Sequence, residues 1–427
     1  MPDQAIPTRV LPHDTLNNTS DLRRRLRQLG RRASAHGPVT TARGAVGGTL
    51  DGEEITTPLG TAYRMQRSYP SDHQHGPGRL ADLLVFDALL ASDVARQPAL
   101  AQARMDGLLF LDTETTGLAG GAGTLAFLVG VGTFTAEGFR LRQYFLRDPA
   151  EEAAMLHALL EDLEAATGLV TFNGQAFDLP LLESRYIVGL RQRRNLTAAP
   201  HLDLLHPSRR LWSRSLPDCT MGTIEQQVLH LRRTEDDIPG ALIPGMYLEY
   251  LRTGATEGMQ RVIYHNTMDV LSLVGVATQV LGRHRQSDPS QLTASEALAV
   301  GRWHQQAGRV DPAEQALQSA VALSDGELRI EALRRLAEYM KRGRRGAEAL
   351  AAWAEWHDRA PADPTPCVEL AKHFEWDVRD AHQALYWTEE ALGALSHWPA
   401  DWRRDEVLAR ITHRLERLQA KRLALTG

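Results

Sequence analysis

Two carboxylates stand two positions apart where an apolar run ends. Residues 110–118 read Phe-Leu-Asp-Thr-Glu-Thr-Thr-Gly-Leu, and Asp112 and Glu114 directly follow the apolar residues 108–111. Because side chains at i and i+2 of a strand share one face, a strand here places both carboxylates side by side. Two buried acids repel each other unless a cation or another partner neutralises them. The pair predicts a divalent metal site; for a pair that stands alone, solvent or an arginine is the alternative partner.

A third carboxylate follows a predicted strand-to-helix turn. Residues 171–182 contain Asn173 and Asp178, five positions apart. A turn at this point directs both side chains towards the carboxyl ends of the strands, where ligands of open α/β sheets bind. A structural interpretation is open for each residue, since Asp178 would cap the following helix and Asn173 would brace the turn.

A fourth carboxylate lies on a predicted long helix. His265 and Asp269 are four positions apart, so they share one face of the helix. An Asp on the apolar face of a helix that packs on a sheet is costly without a partner. We therefore expect Asp112, Glu114, Asp178 and Asp269 to converge on divalent cations. An acid that lies far from the others, faces bulk solvent or is locked to an arginine would overturn the hydrolase hypothesis.

The elements that must position these residues alternate between strands and helices. Strands are predicted over residues 108–112, 124–133, 139–146, 168–172 and 201–205. Helices are predicted from Asp148 onwards, over residues 177–189 and over residues 260–281. Hairpin-like strands followed by helix–strand–helix units predict an α/β domain, a mixed sheet flanked by helices, over residues 105–285.

The segments before this domain have a different composition. Residues 1–45 mix Pro, Asn, Ser and Arg and are predicted to be a flexible N-terminal arm, apart from a basic helix that begins at Ser20. Residues 46–104 are predicted to be an N-terminal extension packed on the core, with irregular strands and a helix over residues 80–90. His73 and His75 in this extension are interpreted as surface-loop residues.

The last third of the chain predicts an all-α region. Residues 314–317 (Glu-Gln-Ala-Leu), 347–350 (Ala-Glu-Ala-Leu) and 382–385 (His-Gln-Ala-Leu) recur at intervals of 33 and 35 positions. This is the period of paired-helix repeats of the tetratricopeptide (TPR) kind. Residues 290–427 are therefore predicted to be a TPR-like helical repeat domain, and another all-helical bundle stays open.

Composition limits the classes of protein that fit. A chain of 427 residues is too long for one ordinary core. Cys219 and Cys367 lie too far apart to form a disulfide framework, which suits a cytoplasmic protein. No apolar run approaches the roughly 20 residues of a membrane span, and residues 1–16 lack the apolar core of a secretory signal. The net charge of −5 argues against coating of nucleic acid through bulk charge.

The acids in this order resemble the three exonuclease motifs of the ribonuclease H-like DEDD superfamily. Those motifs are Asp-x-Glu on a first strand, Asp after an Asn-x-x-x-Phe turn, and Asp late on a helix. Residues 172–182 are similar to the proofreading exonuclease domains of family B DNA polymerases. Other segments resemble the bacterial YprB-like family of predicted nucleases with helical repeats: His-Leu-Asp-Leu-Leu-His at 201–206, Asp-Ile-Pro-Gly at 237–240, Ile-Pro at 243–244 and residues 264–273.

The resemblance implies a metal-dependent nuclease. Asp112, Glu114, Asp178 and Asp269 would hold two divalent ions, Mg²⁺ or Mn²⁺, because these hard cations prefer carboxylate oxygens. One ion would lower the pKa of a bound water, and the other would stabilise the leaving 3′ oxygen of the nucleic acid.

One position departs from the pattern of the superfamily. In one subclass a His lies five positions before the last Asp, and in another a Tyr lies four positions before it. This chain has Tyr264 at five and His265 at four, so the two residue types are exchanged. Helical spacing favours His265 as the general base, since four residues return to nearly the same face of a helix and five overshoot it.

Residues around the acids are candidates for contact with nucleic acid. Thr115, Leu118, Asn173 and Phe177 are predicted to bind substrate, and a plain core role is open for Leu118. Phosphate contacts are predicted for two arginine clusters, for which a solvated surface is the alternative. The clusters are Arg191, Arg193 and Arg194, and Arg209, Arg210 and Arg214. His201 and Asp203 are interpreted as structural residues.

The function favoured by these observations is a 3′-to-5′ exonuclease that acts on single-stranded ends of DNA or RNA. A structure-selective endonuclease of the same fold stays open. A third hypothesis is an adaptor with an inert nuclease site, whose helical repeats bind a protein partner. No motif in the sequence distinguishes DNA from RNA, because reading of the 2′-hydroxyl depends on the geometry of the pocket.

Overall fold

A seven-stranded mixed sheet forms the first part of the fold. The computed structural model describes residues 50–117, 123–234 and 237–426. The strands are β1 (Glu53–Thr57), β2 (Gly60–Tyr69), β3 (Gln74–His75), β4 (Gly78–Arg79), β5 (Leu108–Thr115), β6 (Ala126–Thr135), β7 (Gly138–Phe145), β8 (Gly168–Thr171) and β9 (His201–Asp203). The sheet order is β1-β2-β7-β6-β5-β8-β9, and β3 pairs with β4 in a separate hairpin. Only β5, β8 and β9 pair in parallel, so the predicted mixed sheet is confirmed.

Helices cover the sheet and then form the rest of the described chain. In chain order they are α1 (Ala88–Ala95), α2 (Glu152–Ala165), α3 (Asp178–Leu190), α4 (Leu205–Trp212), α5 (Met221–Gln227), α6 (Ile243–Thr253), α7 (Glu257–Arg285), α8 (Ala294–Gln306), α9 (Val310–Leu323), α10 (Gly326–Arg342), α11 (Gly346–Arg359), α12 (Thr365–His373), α13 (Ala381–Leu395) and α14 (Trp402–Thr426). None of the helices in the described ranges combines the length and the apolar composition that a membrane span requires.

The side chains of β5 alternate between two hydrophobic cores. Leu108 and Phe110 pack in a cluster that includes Val270 of α7, whereas Leu109 and Leu111 pack in a second cluster on the other face of the sheet. The alternation continues past the apolar run, because strand residues point to opposite faces in turn. Asp112 and Glu114, at the end of β5, therefore lie on the same face as Phe110 and point towards α7.

Glycines on β6 let the long helix α7 lie close to the sheet. Gly130 pairs with Asp112 across the two strands. A Cβ atom at Gly130 would lie 2.2 Å from Oδ1 of Asn266 on α7, which no real contact allows. A Cβ atom at Gly132 would likewise lie only 2.9 Å from Cγ1 of Val270 on the same helix. The absence of side chains at these two positions therefore sets the distance between α7 and the end of β5.

The C-terminal region consists of helix pairs, as the recurring segments predict. The three segments lie at the starts of α9, α11 and α13, which are the second helices of successive pairs. Their small and apolar positions point into the core: Ala316, Leu317, Ala349, Ala384 and Leu385 are buried. One hydrophobic cluster runs without a break from Phe110 in the sheet through Trp303 of α8 to Leu370 of α12.

Two predictions for the N-terminal extension differ from the structure. The helix predicted over residues 80–90 is divided, with a 3₁₀ helix over Leu80–Val85 and then α1, whose first turn is capped by Asp87. The surface-loop interpretation is wrong for His75, which is 5% exposed and has Nε2 2.9 Å from Oγ of Ser272 on α7. The predicted basic helix at Ser20 and the arm around it lie outside the described residues.

Candidate metal centre

The carboxyl end of β5 carries the first two carboxylates. Asp112 and Glu114 lie just beyond the residues of β5 that pair with the parallel strand β8, and α7 packs against β5. Both side chains are turned towards α7. The amide of Asn266 donates to Oδ2 of Asp112 at 2.8 Å, and Nε2 of His265 lies 3.9 Å from Oε1 of Glu114.

Three potential ligand atoms come together at the centre of the site. One oxygen of Glu114, one nitrogen of His265 and one oxygen of Asp269 all lie within 4.8 Å of one another. Nε2 of His265 is 3.4 Å from Oδ2 of Asp269. The three side chains are only 12 to 15% exposed, so water screens their charges poorly. Asp112 and Asp178 lie outside this group of three, although they act on it electrostatically.

The pKa values of the acids reveal uncompensated negative charge. Burial raises the pKa of Asp112 well above its usual value, and the nearby carboxylates of Asp269 and Asp178 raise it further. Burial likewise raises the pKa of Glu114, with Asp112 as the next largest cause. A divalent cation would reverse both effects, since it favours the ionised form of every carboxylate around it.

Asp178 is positioned by a braced turn between β8 and α3. The Thr113 hydroxyl donates to Oδ1 of Asp178 at 2.5 Å, and burial raises the pKa of Asp178 to about 6. Asn173 in the turn has a positive φ of 67°, a conformation that Asn adopts more readily than most residues. Asp203 accepts the backbone N–H groups of Asn173 at 2.7 Å and of Gln175 at 3.2 Å. The structural interpretation of Asp203 is confirmed.

Arg233 is a partner of the site that the sequence analysis missed. Its guanidinium donates to Oδ1 of Asp269 and forms an ion pair with it. An arginine locked to one of the four carboxylates is the feature expected to overturn the hydrolase hypothesis, and Arg233 engages one oxygen of one carboxylate in this way. Oδ2 of Asp269 faces His265 instead. No sequence signal marks Arg233, because it reaches the site from the loop after α5.

Two further missed residues hold the acids by neutral hydrogen bonds. Asn266 bonds Asp112, and its own Oδ1 accepts from Nε2 of Gln143 at 2.8 Å. Thr113 lies between the two first acids and bonds Asp178. Both residues lie inside the sequence motifs. Asn266, three positions before Asp269, could have been found, because a polar residue on an apolar helix needs a partner as much as an acid does.

His265 and Tyr264 point in different directions. Nε2 of His265 faces Glu114 and Asp269, while the hydroxyl of Tyr264 accepts a hydrogen bond from Thr234 at 3.4 Å. Nδ1 of His265 lies 2.7 Å from Oδ1 of Asp237. A proton on Nδ1, donated to Asp237, leaves the lone pair of Nε2 directed at the site.

The predicted substrate contacts are placed around this group. The Thr115 hydroxyl is engaged with the carbonyl of Gly117 at 2.9 Å. Phe177 is 57% exposed at the start of α3, next to Asp178. Leu118 lies outside the described residues. The substrate-binding roles of Thr115, Leu118, Asn173 and Phe177 stay predictions.

The predicted phosphate-binding arginines divide into exposed and engaged residues. Arg191, Arg193 and Arg209 are exposed. The other three have protein partners: Arg194 pairs with Glu164 at 2.9 Å, Arg210 donates to the carbonyl of Val94, and Arg214 pairs with Glu331 at 2.6 Å. The exposed three are thus the better candidates for phosphate contacts, which stay a prediction.

Parts of this chain are similar to known proteins. Residues 109–281 match the model of a family described as the RNase_H superfamily. The matched range begins on β5 and ends near the end of α7, so it contains all four carboxylates. The chain is also 31% identical to the protein named "Uncharacterized protein YprB" of Bacillus subtilis (strain 168) over 327 residues, which cover 76% of this chain and 78% of that protein.

Proposed function

We infer that this chain, which belongs to the same family as the YprB protein of Bacillus subtilis, is a metal-dependent nuclease. The observation that carries the proposal is the approach of Glu114, His265 and Asp269 to within 4.8 Å of one another inside a domain of the RNase H superfamily. Asp112 and Asp178 border the same group and have raised pKa values. A buried group with this much negative charge is costly unless it binds a cation.

The donor set fits a hard divalent cation. Carboxylate oxygens of Asp112, Glu114, Asp178 and Asp269 are the ligands that Mg²⁺ and Mn²⁺ prefer, and we propose that these four residues hold one or two such ions. A bound ion would supply Lewis-acid chemistry, namely acidity for the attacking water and positive charge at the leaving oxygen.

The side chains around the carboxylates have separate roles in this proposal. His265 accepts the proton of the attacking water at Nε2, and Asp237 fixes the ring through Nδ1 at 2.7 Å. Asn266 and Thr113 orient Asp112 and Asp178 through the hydrogen bonds described above. The exposed ring of Phe177 offers a face on which an unpaired base stacks.

The substrate we propose is a single-stranded 3′ end of DNA or RNA. An exposed aromatic ring next to the acids suits an unpaired base better than a duplex, whose bases are already stacked. Within the nuclease proposal we favour stepwise removal of nucleotides from the 3′ end.

Linear and circular single strands of the same sequence test the proposal. The full chain, purified and stripped of metal with EDTA, is incubated in Mn²⁺ or in EDTA with 5′-labelled linear strands and internally labelled circles of DNA and RNA. We expect a ladder of products shortened from the 3′ end in Mn²⁺, no products in EDTA and intact circles. Cleaved circles would show an endonuclease instead. Linear strands that stay intact in Mn²⁺ would refute the nuclease function.

A further inference from the structure

The guanidinium of Arg233 is held in place by two acids outside the group of four. Glu225 accepts from Nε and from Nη2 at 2.7 Å each, and Asp237 accepts from Nη1 at 3.2 Å. Glu225 is 2% exposed, so solvent barely reaches this bidentate pair. In the free protein these two acids therefore hold the guanidinium of Arg233 at the site.

Of the four carboxylates Asp112, Glu114, Asp178 and Asp269, it is Asp269 that the guanidinium of Arg233 contacts. Nη2 donates to Oδ1 of Asp269, and Nη1 lies 3.0 Å from Nδ1 of His265. Nη1 and Nδ1 share one acceptor, the Oδ1 oxygen of Asp237. Asp269 thus has a full positive charge against one of its two oxygens.

The opposite side of the group has only neutral donors in contact with it. Asp112 accepts from the Asn266 amide, and Asp178 accepts from the Thr113 hydroxyl. A neutral donor stabilises a carboxylate less than a cation does. The described contacts therefore give Asp112 and Asp178 only neutral donors, whereas Asp269 shares the positive charge of Arg233 with Glu225 and Asp237.

We propose that Arg233 occupies the place of one divalent cation at Asp269 in the free protein, so that one ion binds readily and a second must displace the guanidinium. This inference rests on the nuclease function proposed above and states how its site is loaded. Two positive groups on one carboxylate repel each other across a few ångströms of poorly screened space. A nucleic-acid phosphate gives the guanidinium another anionic partner, so the second ion enters together with the substrate.

The variants must remove the guanidinium without leaving a new buried charge. Arg233→Gln alone leaves Glu225 buried and unpaired, which destabilises proteins strongly. The double variant Glu225→Gln/Arg233→Gln replaces the ion pair by two neutral amides that can bond each other. Arg232→Gln is the matched control, because Arg232 is the exposed neighbour in sequence and carries the same charge.

The number of Mn²⁺ ions bound by the free full-length protein tests the inference. Ions are counted from the electron paramagnetic resonance signal of unbound Mn²⁺, without nucleic acid, on samples whose circular dichroism matches the wild type. We expect one ion for the wild type, one for Arg232→Gln and two for the double variant. Two ions in the wild type, or one in the double variant, would overturn the role of Arg233 and leave the nuclease proposal standing. No ion in any variant would overturn both.

Discussion

The choice of proton acceptor depends on where two neighbouring side chains of α7 point. Replacement of His265 by Ala removes the nitrogen that faces Glu114 and Asp269. We expect the rate of strand cleavage in Mn²⁺ to fall about 10²- to 10⁴-fold, the usual contribution of a positioned general base.

Tyr264→Phe is the control for this prediction. The Tyr264 hydroxyl contacts Thr234 and not the acids, so its loss is expected to leave the rate close to that of the wild type. The opposite pattern, with His265→Ala active and Tyr264→Phe inactive, would transfer the role of base to Tyr264.

The raised pKa of Asp178 predicts how stability varies with pH. The pKa is about 6 in the folded protein, against 3.8 for an ordinary Asp. The folded state therefore holds the proton more tightly, and ionisation costs stability as pH rises from about 4 to about 6. In EDTA, Asp178→Asn avoids this cost, and we expect its free energy of unfolding at pH 8 to exceed that of the wild type by roughly 2–3 kcal/mol.

Urea titrations at pH 4 and pH 8 measure the effect. The gain is expected to shrink to roughly 0.5 kcal/mol at pH 4, where Asp178 of the wild type is protonated in the folded state and only about half ionised in the unfolded state. Asp72→Asn serves as the control, since Asp72 is an exposed acid remote in sequence from the site. A variant that is less stable than the wild type at pH 8 would show that the carboxylate of Asp178 is not repelled in the metal-free protein.

At this scale the sequence identifies the acids but not all their partners. Asp112, Glu114 and Asp269 stand out because they are acids on otherwise apolar elements, and Asp178 stands out because it follows a strand-to-helix turn that resembles a nuclease motif. Arg233 is not, because its position depends on how the loop after α5 returns to α7. Long-range contacts of this kind have no local pattern, so only the folded structure reveals them.

The approach of α7 to β6 is the packing contact that most directly positions the acids. An Ala at Gly130 would place its Cβ 2.2 Å from Oδ1 of Asn266, the residue that bonds Asp112. The Asn266 side chain, α7 or the strand must shift, at a typical cost of about 1–3 kcal/mol for an overpacked core. We expect Gly130→Ala to melt at a lower temperature and to cleave nucleic acid more slowly.

Gly222→Ala is the matched control, because a Cβ there meets no atom within 4 Å. It lies in α5, where Ala is favoured over Gly by about 0.5–1 kcal/mol, so the control should be as stable as the wild type or slightly more so. Gly130→Ala with wild-type melting temperature and activity would show that α7 does not depend on this close approach.

Element types are predictable here where the hydrophobic pattern is long and regular. The strand at Asp112 and the long helix at Asp269 are both confirmed, and their bounds shift by only a few residues. The helix predicted over residues 80–90 fails for a local reason, since Asp87 caps a new helix in the middle of the range. The surface-loop interpretation of His75 is wrong for a different reason. Its sequence neighbours are polar, so nothing local predicts its contact with Ser272 of α7.

In the described part of the chain, one of the two hydrophobic cores of the sheet continues into the helix pairs. Trp212 of α4 is 3% exposed, and its indole N–H donates to Glu296 of α8 at 2.8 Å. Thr293 begins α8 with a capping box that involves the same Glu296. This contact joins the nuclease-like region to the first helix pair, and sequence periodicity within each region cannot predict it.

Trp212→Ala tests how strongly the two regions support each other. A buried Trp replaced by Ala typically costs about 3–5 kcal/mol, and here the loss also leaves Glu296 without its indole partner. Urea unfolding followed by circular dichroism is expected to show this loss, whereas Trp402→Ala should cost little because Trp402 is 69% exposed. Equal stabilities of the two variants would contradict a shared core.

The cleavage rate of Asp112→Asn in Mn²⁺ is the most direct test of the whole account. This substitution keeps the shape of the side chain and its hydrogen-bonding capacity towards Asn266 but removes the charge that would bind a cation. We predict that the wild type and Asp72→Asn degrade labelled single strands in Mn²⁺ and not in EDTA, and that Asp112→Asn is slower by about a thousandfold or more. Degradation by Asp112→Asn at the wild-type rate, or by the wild type in EDTA, would contradict a metal-dependent nuclease built on these carboxylates.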